Sequence, residues 1–247
     1  MNNKSFVGIK KLTLVCMLFP FIATSQIKNV VSTHRVFPKI DKVSEFEKAI
    51  TAHAQKYHTG DVKWRVFEIQ SGPDFGGFQL VEGPSSWEAF DKRGNLGTEH
   101  TDDWNRTIAI HLTDRQSASY SVYVDSLSTV AIGDYSDKIN ITHVFPKPGC
   151  GPKIVGIIKD LKKAWTADGS TVAVYSANSS GPTQYALVTR YKQGLKEKAD
   201  GFRKPFKATY ESVNGAGSFD KYLENIREYT NEAWSELLFL RPDLSSK

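Results

Sequence analysis

The chain has 247 residues, 40% of them hydrophobic, and a formal net charge of +5. That is enough apolar material for a sizeable core. No block of five or six like charges occurs, and the strongest basic run, 196–207, mixes Glu197 and Asp200 among its lysines. It reads as a solvated face rather than a stripe for nucleic acid, and no nucleic-acid partner is expected.

Taken in order, Lys4, Lys10 and Lys11 precede an apolar run from Leu12 to Ala23, and Ala23-Thr24-Ser25 places small residues before Gln26. This is the pattern of a secretory signal peptide spanning residues 1–25. Its apolar run is shorter than the roughly 20 residues of a permanent membrane helix. The chain is therefore expected to be exported, to the periplasm or the extracellular space, with no permanent membrane span once the signal is removed. Three of the 32 Lys and Arg leave with the signal and none of the 27 Asp and Glu, so the remainder carries 29 against 27, near +2. Cys150 then stands alone and cannot form a disulfide within the chain.

Val31 to Phe37 reads as a strand ended by Pro38, and Asp41 can cap a helix with Val43, Phe46, Ile50, His53 and Tyr57 on one face. Val62 to Ile69 and Phe75 to Val81 follow as strands on either side of a Ser71-Gly72-Pro73-Asp74 turn. The glycines of Phe75-Gly76-Gly77-Phe78 are read as a bulge or a close backbone approach. A short helix around Trp87 and Phe90, a helical piece with Trp104, Ile108 and Leu112, and a strand from Ser119 to Val124 complete a unit. The order then repeats. Ile139, Ile141, His143 and Phe145 alternate along a strand, and a helix carries Ile154, Ile158, Leu161 and Trp165. Strands at Thr171–Ala177 and Gln184–Arg190, helical pieces around Leu195 and from Phe219 to Tyr229, and a strand from Trp234 to Leu240 follow.

Thr33-His34-Arg35-Val36-Phe37-Pro38-Lys39 returns as Thr142-His143-Val144-Phe145-Pro146-Lys147, each ahead of a helix. The chain is thus one βαββαβ unit written twice. The first unit covers residues 26–125, a linker 126–138, and the second unit 139–247. One face of such a sheet is left bare and apolar. Two copies in one chain can cover each other, so the expected fold class is α+β, with two tandem ferredoxin-like units packed sheet to sheet.

The stretch Phe78-Gln79-Leu80-Val81-Glu82 running into Ser85-Ser86-Trp87-Glu88-Ala89-Phe90 resembles the strand and "W-x-[S/D]-x-E-A" helix start of antibiotic-biosynthesis-monooxygenase-type proteins. With the duplication and element order, the chain resembles the dimeric α+β barrel superfamily, in the layout of monooxygenase-type and NIPSNAP-type members, fused as in chlorite dismutase-like proteins. The resemblance covers nearly all of the chain beyond the signal. The second copy lacks the tryptophan and has Leu195 near its place. The resemblance implies an intramolecular α+β barrel and, as an activity, a cofactor-independent oxygenase with His143 or His34 as base and Arg35 or Trp87 positioning substrate. A haem-dependent variant would use His143 as axial ligand.

The register of the repeated motif decides which side chains face inward. Matching Thr-His to Thr-His makes His34 and His143 equivalent; matching Val-Phe-Pro-Lys without a gap pairs Arg35 with His143 and preserves alternation better. In the ungapped register His143 and Arg35 share a face with apolar neighbours, as groups lining a partly enclosed barrel would. The candidate catalytic residues are His143, His34 and Arg35. The aromatic surplus offers Trp87, Trp64 and Phe78 as candidate ligand-binding residues for a small apolar or aromatic molecule. His53 reads as a satisfied core residue and His58 as surface. His100 and His111 lie too far apart for one metal, and no H-E-x-x-H motif or paired cysteine occurs, so neither a metal nor a cofactor is expected. A small apolar ligand, or a partner protein, is the expected occupant of the barrel, and a further oligomer is left open.

Overall fold

The structure, a computed structural model, describes residues 27–93 and 96–247. The proposed signal peptide, residues 1–25, lies outside them. Eight strands form one closed barrel. They are β1 (Val30–Pro38), β2 (Trp64–Ile69), β3 (Phe78–Ser85), β4 (Leu112–Tyr123), β5 (Lys138–Pro146), β6 (Val172–Ala177), β7 (Gln184–Arg190) and β8 (Thr230–Leu240). Their order around the barrel is β1-β3-β2-β8-β5-β7-β6-β4. Each half is the 4-1-3-2 sheet of a ferredoxin-like unit, and two short seams join the halves. β2 meets β8 from Phe67↔Leu240 to Ile69↔Leu238, and β4 meets β6 at Val122↔Ser176 and Tyr123↔Tyr175. The tandem α+β reading therefore holds.

Helices cover the outer face. In the first unit α1 (Val43–Tyr57) buries Phe46, Ile50 and Ala54 against Val36, Val66, Phe78 and Leu80. Short helices α2 (Trp87–Arg93) and α3 (Thr98–Asp103) follow, and α3 runs into a π-helical turn at Trp104–Ile108. In the second unit α4 (Gly151–Asp168) places Ile154, Ile158 and Leu161 on Val144, Val174 and Leu187, with Pro152 in its first turn and left-handed Gly169 ending it. Helices α5 (Phe206–Asn214) and α6 (Ser218–Tyr229) complete that layer. The helical piece expected around Leu195 is a 3-10 turn, Gly194–Lys198. The one expected over Trp104 to Leu112 ends earlier, because Leu112 already begins β4.

The inner face holds a separate core to which both units contribute: Val31, Phe67 and Ile69 from the first, Ile139, Ile141, Ala173, Val188 and Leu238 from the second. Each unit thus buries the apolar sheet face that it cannot bury alone. The linker takes part as well. Val130 is buried in this core, and Tyr123 Oη donates to its carbonyl at 2.7 Å. Arg190 donates to the carbonyls of Ala131 (2.8 Å), Ile132 (3.1 Å) and Asp134 (2.5 Å). The linker is therefore strapped across one end of the barrel. Near the other end β3 starts at a close approach, since a Cβ on Gly77 would stand 2.5 Å from Cε1 of Phe37. Gly77 thus has the close approach read for the glycine pair, whereas Gly76 has open space around it and a positive φ of 81°.

Candidate functional site in the barrel interior

Strand parity builds the site. Inner positions of β1 present Val31, Thr33 and Arg35; those of β5 present Ile139, Ile141, His143 and Phe145. Arg35 lies opposite Gln79 on β3 and Ser117 on β4, while His143 lies opposite Ala186 on β7 and Trp234 on β8. The ungapped match of the two motifs is therefore the one the fold adopts, and Arg35 and His143 are symmetry-related. They line a cavity of about 300 Å³. That is the lower end of the roughly 300–1,000 Å³ typical of small-molecule sites.

The cavity exists because the two halves differ at equivalent positions. Facing Arg35 and Thr33, β4 offers Ser117 and Ser119; facing His143 and Ile141, β8 offers Trp234 and Glu236. Three small residues, Ser117, Ser119 and Ser121, line the cavity along β4. Close packing would otherwise fill that volume with large side chains. Ser117 and Ala118 are exposed, so the cavity opens along β4, beyond the short seam with β6.

A charged array crosses one end of the interior, and Arg65 and Arg190 line the cavity as well. Glu236, its side chain wholly buried, accepts from Arg35 through both carboxylate oxygens and lies 2.8 Å from His143 Nε2. Arg35 also donates to Asp74 at 2.6 Å and through Nε to Gln79 at 2.9 Å, and Asp74 pairs with Arg115. Because a carboxylate only accepts, the Glu236 contact places the proton on Nε2 when the ring is neutral and leaves Nδ1 free to accept. Nδ1 lies 3.2 Å from Oε1 of Gln184, whose amide must turn its NH2 towards the ring to donate to this tautomer, and the ring stacks on Trp234 with centroids 4.0 Å apart. Towards the linker end, Arg190 donates to Tyr175 Oη at 3.0 Å, and Arg65 lies over the Tyr135 ring. Burial pushes the Tyr175 and Tyr135 phenols above their ordinary range, against the pull of Arg190 on the first and of Arg65 and Arg190 on the second, so both stay neutral; the Tyr135 hydroxyl is buried without a hydrogen-bond partner among the described residues.

The other candidates are placed elsewhere. His34 occupies the outward parity of β1; its ring packs at a tilt against Trp104 and bonds Gln116 at 3.2 Å, so it does not face the cavity. Burial holds its imidazole below the ordinary value. Trp64 and Phe78 are also outward, under the helices, where Phe78 packs on Phe46 and Trp64 stacks on His58. Trp87 is 50% exposed, beside Tyr120 on the outer surface. None of these three aromatics lines the cavity; Trp234, Phe145 and Phe67 do. Glu236 was not among the candidates, although a lone acid between inward Trp234 and Leu238 is a readable signal of a buried polar role.

The histidines also depart from expectation. His58 is completely buried, not at the surface, and with His53 and His100 it forms a cluster of metal-ligating type, which the sequence spacing did not suggest.

No protein-family model matches the chain, and no curated protein matches it either. Solved structures do. A candidate monooxygenase from Fusobacterium nucleatum subsp. nucleatum superposes with a TM-score of 0.53 at 14% identity, covering 85% of this chain and 91% of that one. An anthrone oxidase-like protein gives 0.52 at 14% identity, covering 87% and 92%. A candidate chlorite dismutase gives 0.52 at 9% identity, covering 87% and 96%. The chain has the dimeric α+β barrel fold. Its two ferredoxin-like units are fused in one polypeptide, so the barrel closes without a second chain.

A haem ligated by His143 does not fit this interior. The cavity of about 300 Å³ is at the small-ligand end of the range and does not accommodate a porphyrin, and Trp234 covers one face of the His143 ring.

Proposed function

We propose that the barrel binds a small, largely apolar molecule carrying one hydrogen-bonding oxygen, which His143 orients. The observation that carries this reading is a mouth-accessible cavity with apolar walls from Phe67, Ile139, Ile141 and Val188, beside which lies the buried array Arg35–Glu236–His143. Aliphatic and aromatic walls supply non-directional affinity, and a few fixed polar groups supply orientation. His143 Nδ1 is the group available to an incoming hydroxyl, because its 3.2 Å contact with Gln184 is the longer of its two. Export, as read from residues 1–25, would place this binding outside the cytoplasm. The test is a titration with 1-naphthol followed by quenching of the cavity tryptophan, Trp234. Saturable one-to-one binding, weakened in His143→Gln, is expected. No saturable binding in wild type would overturn the reading.

A second reading rests on the His143–Glu236 dyad itself. A carboxylate that fixes the tautomer and stabilises the imidazolium is the arrangement of a general base. The likeness to an anthrone oxidase-like protein makes anthrone the substrate to try. His143 Nδ1 would take the proton from the carbon opposite the ketone, and the carbanion would react with dioxygen. Loss of water would then give the quinone, so one anthrone and one dioxygen yield one anthraquinone and one water. Dioxygen uptake with anthrone that is abolished in His143→Gln would favour catalysis over binding alone. Binding of 1-naphthol with no such uptake would leave the first reading standing.

A further inference from the structure

We propose that the outer face of the first unit carries a divalent transition-metal site, with zinc its best-suited ion, formed by the Nε2 atoms of His53, His58 and His100. It is separate from the barrel cavity. Trp64, which stacks on His58, has outward parity on β2, whereas its neighbour Arg65 lines the cavity.

Three segments bring the ligands together. His53 lies in the last turns of α1, and His58 is its C-cap residue, where the chain leaves the helix and its N–H returns to the carbonyl of Ala54. His100 comes from α3, more than forty residues later. His53 Nε2 lies 3.1 Å from His100 Nε2, and His100 Nε2 lies 3.3 Å from His58 Nε2. Two nitrogens bound to one tetrahedral zinc at about 2.05 Å stand about 3.3 Å apart.

The partners of the remaining nitrogens fix the tautomers. His53 Nδ1 lies 2.7 Å from the Asp103 carboxylate, and His58 Nδ1 lies 3.2 Å from the Val62 carbonyl with Glu82 beyond at 3.7 Å. These oxygens accept only, so Nδ1 carries the proton in both neutral rings and each Nε2 presents a lone pair. Two lone pairs then converge on His100 Nε2. Its one N–H cannot point along both, so without a cation at least one buried acceptor is poorly satisfied. A metal ion satisfies all three. Nδ1–H to a carboxylate or carbonyl is also the usual outer support of a metal-bound imidazole. The all-nitrogen donor set suits zinc and its first-row neighbours and does not suit magnesium or calcium, which take oxygen ligands. Three protein ligands leave a tetrahedral ion one position for water or an added ligand.

The experiment uses untagged protein stripped with dipicolinate and then titrated with cobalt(II). Intense visible d–d bands that saturate at one equivalent and are displaced by zinc are expected. Zinc at roughly one hundred times its Kd should raise Tm by roughly 5–11 °C. His100→Ala, at the partly exposed ligand, should weaken binding by about 100-fold or more, beyond what loss of an outer partner causes. His111→Ala, outside the cluster, should bind as wild type does. Zinc-edge X-ray absorption on wild type needs no variant and should show imidazole scattering from three ligands. Absence of cobalt bands and of a Tm shift in wild type would mean a hydrogen-bonded histidine cluster only, and would overturn the proposal. Full binding by folded His100→Ala, or a zinc edge without imidazole ligands, would do the same.

Discussion

Replacing Glu236 by glutamine tests whether the interior array is a coupled unit. The Glu236 side chain is 0% exposed and that of Arg35 is 11% exposed. Glutamine keeps the volume and can still accept from His143 Nε2, but it removes the charge that balances Arg35. Removing one partner of a buried ion pair costs about 3–5 kcal/mol. Asp74 remains on Arg35 at 2.6 Å, which places this case at the lower end, about 3 kcal/mol. For a chain of this size that lowers Tm by roughly 6–12 °C. Arg35→Met should cost a similar amount, because it leaves the Glu236 carboxylate buried with only His143. In the double variant neither charge is orphaned, and Asp74 keeps Arg115. Its cost should therefore fall short of the summed singles by about 2 kcal/mol, within the range seen for residues sharing one network. Urea unfolding followed by tryptophan fluorescence measures all four proteins. Singles that add to within about 0.5 kcal/mol, or a Glu236→Gln protein as stable as wild type, would refute the coupling.

Further outcomes follow from the same geometry. Ser117→Phe, at an exposed position of the cavity wall, should abolish 1-naphthol binding while shifting Tm by less than about 2 °C; retained binding in a titration would place the ligand elsewhere. Trp234→Ala should lose binding and Trp87→Ala should not, since of the two only Trp234 lines the cavity; equal heats of binding by titration calorimetry, which needs no tryptophan signal, would contradict the parity assignment. Phe46→Ala, at a fully buried site under α1, should cost about 3–5 kcal/mol by chemical denaturation. Burial holds His34 below its ordinary value of 6.5. The unfolded chain therefore takes up the proton first, and the stabilisation is complete above about pH 6.5 and lost as pH falls towards the lower folded-state value. His34→Gln should flatten the fall in Tm between about pH 7 and pH 5; an unchanged slope would show that His34 is not the group responsible.

The architecture was legible because it rests on period and repetition. The Phe-Pro-Lys ends of β1 and β5 mark the duplication, and alternation of Ile139, Ile141, His143 and Phe145 against Val31, Thr33 and Arg35 selects the register. The cavity-lining aromatics were not legible for a physical reason. In a barrel wrapped by helices both sheet faces are buried, so Trp64 and Phe78 serve the outer core while polar Gln79 and Arg65 turn inward. Hydrophobicity alone cannot assign faces there; parity counted from a fixed neighbour can. Glu236 could have been found by that count. The histidine cluster could not, because His58 turns inward only where α1 breaks, and His100 arrives through tertiary packing of α3.

The most direct measurement is a crystal structure of the protein with 1-naphthol. If His143 orients a ligand in the barrel, ring density will lie between β1, β4 and β5, with the hydroxyl within hydrogen-bond reach of His143 Nδ1. Density found only on the outer surface, beside Trp87 or under α1, with the barrel interior unchanged, would contradict that role.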